Sequence, residues 1–211
     1  MNRLSKTHRA SIDLLLNHWS RFIAIQPYHK TWLYQHSSFS TYIRGNCIYD
    51  SNWGNKKLFY VCKGLLGHVD YYIDKKTGKE KRTILSIGLP LMSMMTTDHL
   101  YSNTQGPGQI IALRPSQVLI FSYEKIKNFI REDYSLAVLL SAMLNKKKRQ
   151  LGRLRQVDAV HDPQTAYIRF TNNLPELVNL LSQTEQQDLL GISRSTIRRV
   201  SFFLLTGKHT R

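Results

Sequence analysis

The chain has 211 residues, 42% of them apolar and 10% aromatic, which is ample for the core of one large domain or two small ones and predicts a globular protein. Thirty Lys and Arg against fourteen Asp and Glu leave a formal charge of +16, an excess that self-repels unless an anionic partner neutralises it, so nucleic acid and anionic membrane are the candidates. No apolar run approaches the ~20 residues of a membrane span, the N-terminus has no adequate leader core, and two cysteines are too few for a disulfide framework, which predicts a cytoplasmic protein without a membrane partner.

Residues 10–36 carry Ile12, Leu15, Leu16, Trp19, Phe22 and Ile23 at helical spacing; Pro27 then breaks the pattern before a shorter helical piece ending near His36. From 39 to 122 the period changes to short β-like runs, FSTYIRGNCIYD, KLFYVCKGLLGHVDYYID, KRTILSIGL and GQIIALRPSQVLIFS, punctuated by Gly, Asn, Asp and Pro. Many short strands predict a roll or sandwich. A hairpin turn is predicted at 74–79, where Gly78 supplies the positive φ that such a loop requires. Cys47 and Cys62 sit in apolar strand-like stretches and read as buried, reduced thiols. Trp32, Tyr34, Phe39, Tyr42, Tyr49, Trp53, Phe59 and Tyr60 read as core rather than as the lining of a ligand pocket.

After a short helical piece, YEKIKNFI, residues 134–160 contain no Pro, and Leu136, Leu140, Met143, Leu144, Leu151, Leu154 and Val157 recur at steps of three and four. This predicts one long helix whose apolar stripe needs a cover. Its basic run Lys146–Arg149 reads as a solvated face. Asp162 followed by Pro163 is an N-cap with proline at the first helical position, so a domain boundary is expected near 160. The division predicted is a sensor domain over 1–133, a connecting helix over 134–160 and a further helical domain over 161–211.

The stretch 180–205, LLSQTEQQDLLGISRSTIRRVSFFLL, holds the most specific pattern. Ser182 can cap a helix over 183–190, Gly191 can end it in the left-handed conformation, and Ser193 can cap a second helix starting at Arg194. On a helical wheel Ile197, Val200 and Leu204 fall on one face. Ser195, Arg198, Arg199 and Phe202 point the opposite way, with Arg194 on the flank. A helix with this cationic face can enter the ~12 Å major groove and offer Arg to guanine O6 and N7 through paired hydrogen bonds. A solvated basic face on an ordinary helical hairpin is the alternative. Caps, turn and arginines coincide here, which favours a helix-turn-helix reader of double-stranded DNA using Arg194, Ser195, Thr196, Arg198 and Arg199, with Ser182 and Gln183 on the first helix.

LSQTEQQDLLG with GISRSTIRRV resembles the DNA-binding element of the Crp/Fnr family of bacterial transcription regulators, and is most similar to short members of the Bacteroidetes type. KLFYVCKGLLGHVDYYIDKKTGKEKRTILSIGLPL resembles the family's β-roll, and DPQTAYIRFTNNLPELVNLL resembles the helices preceding its reader helix, so the resemblance runs from about 10 to 205 in order. It implies an α+β protein: an N-terminal jelly roll like a cyclic-nucleotide-binding domain, a long dimerisation helix and a C-terminal all-α helix-turn-helix domain. It also implies a homodimer on a pseudo-palindromic site, paired through Leu136, Leu140, Met143, Leu151 and Leu154, and it makes RNA polymerase a candidate partner. An effector small molecule, if there is one, is not named by the sequence.

Departures from the family pattern carry information too. Residues 81–97 contain no carboxylate, and the positions where cyclic-nucleotide-binding members carry Arg-Ser or Arg-Thr align with Gly106 and Pro107. A cyclic phosphate would lose its bidentate Arg, so no cyclic-AMP binding is expected and no cofactor is assigned. Two cysteines likewise cannot supply the four thiolates of an iron–sulfur sensor. Gln186 and Gln187 replace an apolar residue and an Ala of the family, which predicts looser packing between the two helices. The tail after Leu205, TGKHTR, is short for a β-hairpin wing, though Lys208 and Arg211 can still touch phosphates. Metal-dependent cupin enzymes share the jelly-roll architecture, so a metal enzyme or small-molecule binder is the competing reading. His29, His36, His68 and His99 are scattered over helix, strand and loop without ligand spacing, and no catalytic motif is present, so neither a metal site nor an enzyme is expected.

Overall fold

A computed structural model of the chain describes residues 5–75, 77–97 and 99–207. The hydroxyl of Ser5 accepts from the His8 N–H and caps α1 (Lys6–Trp19). Pro27, read from sequence as a break, is the first residue of α2 (Pro27–His36), where its missing N–H costs nothing. Strands β1 (Ser38–Tyr42), β2 (Cys47–Asp50), β3 (Lys57–Ile73), β4 (Glu80–Gly88), β5 (Ser93–Met95) and β6 (Gln109–Ser122) follow. Helices α3 (Tyr123–Glu132), α4 (Ser135–Asp158), α5 (Pro163–Asn173), α6 (Pro175–Leu180), α7 (Gln183–Leu190) and α8 (Arg194–Thr206) come after them. The architecture is α+β, in the predicted order of sheet and then helices. No helix among the described residues is long and apolar enough to cross a membrane.

The chain resolves into two compact units, residues 1–69 with 87–146 and residues 70–86 with 147–211. The break thus falls within α4, and the end of the β3–β4 hairpin groups with the C-terminal helices. A long helix and a long hairpin are thus each divided between the two units.

In the first unit β6 is the spine of the sheet. β1 pairs antiparallel with its C-terminal half, Ser38 opposite Ile120, and β2 with its N-terminal half, Asp50 opposite Gln109. β3 runs along its other edge from Lys57 opposite Ser122 to Val69 opposite Gln109. β4 and β5 flank β3 in turn. Strands of this length must bend to enclose a core, and the β3–β6 register shifts between Val61 and Leu66. There Gly64 takes φ +90° directly against Pro115.

One apolar cluster joins Tyr49, Phe59, Val61, Leu66, Ile110 and Val118. A second packs α1, α2 and α3 against Leu58, Tyr60, Leu119 and Phe121, and takes in Leu136, Leu139, Leu140 and Met143 of α4. The stripe Leu136, Leu140 and Met143 expected at a dimer seam is therefore covered by the chain's own core. Burial of such side chains is worth about 2 kcal/mol each, which is reason enough for the helix to turn them inward.

Other expectations need smaller corrections. Cys62 is buried and its thiol is pushed up to about 11 by burial, whereas Cys47 is only half-buried. Tyr49, Phe59 and Tyr60 are core, but Trp53 is 54% exposed. In the basic run, Lys148 and Arg149 are solvated while Lys146 and Lys147 are half-buried, the Lys146 ammonium donating to the Pro90 carbonyl at 3.3 Å. The histidines of α1 are satisfied inside the fold: His8 meets the Ser37 hydroxyl at 3.2 Å and His18 the Tyr60 phenol at 3.1 Å.

His29 anchors a network at the start of α4. Its Nδ1 accepts from the Gln26 N–H at 2.9 Å, so the neutral ring carries its proton on Nε2, which lies 2.9 Å from Asp133 Oδ2. Asp133 also accepts from the Tyr28 phenol at 2.5 Å and the Ser135 N–H at 2.7 Å. Burial alone would push the Asp133 carboxyl up; these hydrogen bonds outweigh it and hold the group well below the ordinary carboxylate range. A carboxyl depressed on folding contributes stability that is complete at neutral pH and is lost as pH falls below about 4 toward the folded value. Chemical denaturation at pH 7 and pH 3 should therefore show Asp133→Asn clearly less stable than wild type at pH 7, with the gap narrowing at pH 3. An equal gap at both would remove the carboxylate's charge from the account.

Candidate nucleic-acid interface

The second unit is built from the end of α4, the hairpin end and α5–α8. Asp162 caps α5, its carboxylate accepting from the Thr165 N–H at 2.8 Å. Arg169 donates to the Gln156 carbonyl at 3.1 Å and so holds α5 to the last turns of α4. α5 and α7 both pack on α8. Their core comprises Leu154, Val157, Tyr167, Phe170, Leu177 and Ile197 with their apolar neighbours. Leu154 is thus part of this unit's own core, and Leu151 is half-buried.

Each turn of the α7–α8 pair is fixed by the residue type the sequence supplies there. The Ser182 hydroxyl accepts from the Glu185 N–H, and the Glu185 carboxylate accepts from the Ser182 N–H at 2.8 Å, a reciprocal cap that starts α7. Gly191 ends α7 with φ +66°, its N–H bonded to the Gln187 carbonyl at 2.8 Å. The Ser193 hydroxyl accepts from the Thr196 N–H at 3.2 Å and starts α8. Two helices therefore meet across the turn Gly191–Ser193, as the sequence predicts.

Gln186, expected to loosen this pairing, does the opposite. It is buried, and its amide N–H groups donate to the carbonyls of Val178 and Leu181, each at 3.0 Å. Its Oε1 accepts from the Tyr167 phenol at 2.8 Å, which also lies 3.0 Å from the Ser201 hydroxyl. One side chain thus ties α5, α6 and α7 together, and through Tyr167 reaches α8. Nothing in the sequence marks this network, since Tyr167 lies 19 residues from Gln186 and the members are spread over α5, α6, α7 and α8.

Ile197 and Val200 of α8 face inward, and Arg194, Ser195, Arg198 and Arg199 are exposed together on the other side. Leu204 departs from the predicted inward face: it is 46% exposed, and Phe203 is the half-buried residue of that turn. Thr196 is half-buried, with its hydroxyl 2.9 Å from that of Ser193, and Ser182 and Gln183 are exposed at the start of α7. Hydrogen bonds from Thr165 lower the Asp162 carboxyl, and the nearby Arg199 guanidinium adds to the effect, so Arg199 lies in the field of a carboxylate at the foot of α5. Lys76, Lys208 and Arg211 lie outside the described residues.

Sequence reasoning found the hairpin but missed its attachment to α7. Arg82 of β4 donates to Asp188 Oδ2 through Nε at 2.9 Å and Nη2 at 2.5 Å, and the Thr83 hydroxyl donates to the Asp188 carbonyl at 3.3 Å. These bonds join residues more than 100 positions apart. Beside them lies a cleft of about 500 Å³ lined by Tyr72, Glu80 and Lys81 on one side and by Thr184, Gln187 and Ser193 on the other. Among the described residues no group of three or more His, Cys, Asp or Glu is placed to hold a metal ion.

No protein-family model matches the chain, and no curated protein matches it in sequence. Solved structures do match. FixK2 from Bradyrhizobium japonicum superposes with a TM-score of 0.63 at 16% identity, over 81% of this chain and 86% of that one. CLP of Xanthomonas campestris, a c-di-GMP-responsive global regulator, gives 0.62 at 15% identity, over 88% of this chain and 96% of that one. A CRP-family transcriptional regulator of Thermus thermophilus gives 0.60 at 14% identity, over 80% and 85%. At these identities the likeness is one of fold, and the fold of this chain is that of the Crp/Fnr transcription regulators.

Proposed function

We propose that the chain is a sequence-specific, DNA-binding transcription regulator that acts as a homodimer on a pseudo-palindromic site and needs no cyclic AMP. The observation that carries this reading is the exposed face Arg194, Ser195, Arg198 and Arg199 on a helix whose start is fixed by a serine cap and whose back is held by Tyr167 and Gln186. The fold supports it, because a helix-turn-helix at this position presents the first turns of its second helix to base edges. The charge of +16 supplies the phosphate attraction.

Pairing runs through the residues of α4 that the chain's own core leaves uncovered. Ala137, Leu144 and Leu151 are all half-buried and recur every seven residues, the spacing of a helix-pair seam. Independence from cyclic AMP is supported by the segment around Gly106. The Tyr49 phenol donates to the Thr96 carbonyl at 3.0 Å and reaches that of Gly106 at 3.5 Å, and His68 meets the Pro107 carbonyl at 2.5 Å. Backbone carbonyls tied to side chains offer a phosphate acceptors where it needs donors, which supports the reading.

The test is selection from random duplexes at near-physiological salt. It should recover a palindrome with half-sites about 10 bp apart. On that site Arg199→Ala should weaken binding by ~1–3 kcal/mol, with a smaller loss on random DNA. Equal losses on both would make Arg199 a phosphate contact and remove it from base readout.

A further inference from the structure

We propose that the end of the β3–β4 hairpin is a wing of the reader, its basic tip running along the phosphates beside the groove that α8 enters; this rests on the DNA reading above. Between 74 and 82 the hairpin carries five basic residues against two acidic ones, a local excess in a chain already strongly cationic. Lys75 and Lys79 are exposed on either side of the turn. Behind them two ion pairs set the hairpin's shape and place: Lys81 with Asp74 across the turn, and Arg82 with Asp188 on the last turn of α7.

The attachment point decides the partner. Asp188 stands three residues before the Gly191–Ser193 turn, and the cleft beside it is walled by Tyr72, Glu80 and Lys81 against Thr184 and Ser193. Thr184 adjoins Gln183, and Ser193 adjoins Arg194, so the hairpin borders both segments assigned to DNA. It leaves Arg194, Ser195, Arg198 and Arg199 exposed, which distinguishes a neighbour of the reading face from a cover over it. Glu80 disfavours a phosphate within the cleft, so contact falls to the tip lysines. Such contacts add affinity without sequence preference and position the reader on the duplex.

The salt dependence of duplex binding tests this. Each phosphate contact contributes about 0.9 to the slope of log K against log salt, so Lys75→Ala with Lys79→Ala should lower the slope by about two. Between 50 and 200 mM salt the double variant should lose about tenfold less affinity than wild type does, and it should bind selected and random duplexes equally more weakly. Arg82→Ala, which frees the hairpin and leaves its lysines in place, should reproduce part of the loss. An unchanged slope overturns the wing, and tighter binding by the double variant would make the hairpin a cover instead. If Arg199→Ala still relaxes specificity while the hairpin variants do nothing, only the wing fails. If the wild-type chain binds no duplex at low salt, the DNA reading fails and the wing with it.

Discussion

Alanine at Gly64 is expected to cost the first unit about 3 kcal/mol, a large part of the ~5–15 kcal/mol that holds a domain folded. Gly64 has φ +90°, and a Cβ there would lie 2.3 Å from the Pro115 carbonyl oxygen, 2.4 Å from Ser116 Oγ and 2.7 Å from Ser116 Cα. Two of these are backbone atoms of the spine strand β6. The third belongs to a hydroxyl that accepts from the Leu65 N–H at 3.1 Å and donates to the Arg114 carbonyl at 2.7 Å, so it is not free to swing away. The left-handed conformation costs an alanine ~1–2 kcal/mol, and forcing overlapped atoms apart in a packed interior costs ~1–3 kcal/mol more. Gly78 separates the two terms: its φ is +65° and nothing lies within 4 Å of its would-be Cβ, so Gly78→Ala should lose only the first. Denaturant midpoints for both variants check this. Equal losses at the two positions would mean that β3 can slide off β6 at the bend, and that Gly64 is there for its dihedral alone.

The bend illustrates what was and was not legible beforehand. The runs that became β3 and β6 stand out in the sequence through their alternation and their apolar content, and the hairpin turn through Gly78. The caps Ser182 and Ser193 and the stop Gly191 are read directly, because capping is a local matter of one side chain and the next turn. Periodicity says that Leu136, Leu140 and Met143 are buried but not by what, and a dimer seam and the chain's own α1–α3 satisfy the same pattern. In the structure α1–α3 cover Leu136, Leu140 and Met143, while Leu144 and Leu151 keep partial exposure. Leu204 misled for a related reason: in the last turn of α8 the half-buried residue is Phe203, so Leu204, on the apolar side of the wheel, ends 46% exposed. Arg82 and Asp188 gave no signal at all, since an ion pair across such a separation leaves no periodic trace in either segment.

Gln186 is the position where sequence reasoning and structure diverge most, and there the second large effect is expected. Read by resemblance, an apolar residue belongs at 186, and Gln186→Leu ought to tighten the helix pair. The hydrogen bonds reverse the sign. Leucine would gain about 1–2 kcal/mol of apolar burial, but the half-buried carbonyl of Val178 and the buried carbonyl of Leu181 would each lose their amide donor. Orphaning such a carbonyl costs ~1–3 kcal/mol, so two of them outweigh the gain, and the Tyr167 phenol would keep only Ser201. The expected net loss is about 2–3 kcal/mol, confined to α5–α8. Amide hydrogen exchange should resolve it: exchange over 163–206 should quicken by about 30- to 100-fold for amides that open with the whole helical unit, while β3 and β6 keep their protection. Duplex binding should fall along with that protection, whereas Arg199→Ala should alter specificity and leave exchange unchanged. Unaltered exchange in Gln186→Leu would mean that the two carbonyls find other donors, and that the amide network orders the α7–α8 pair without stabilising it.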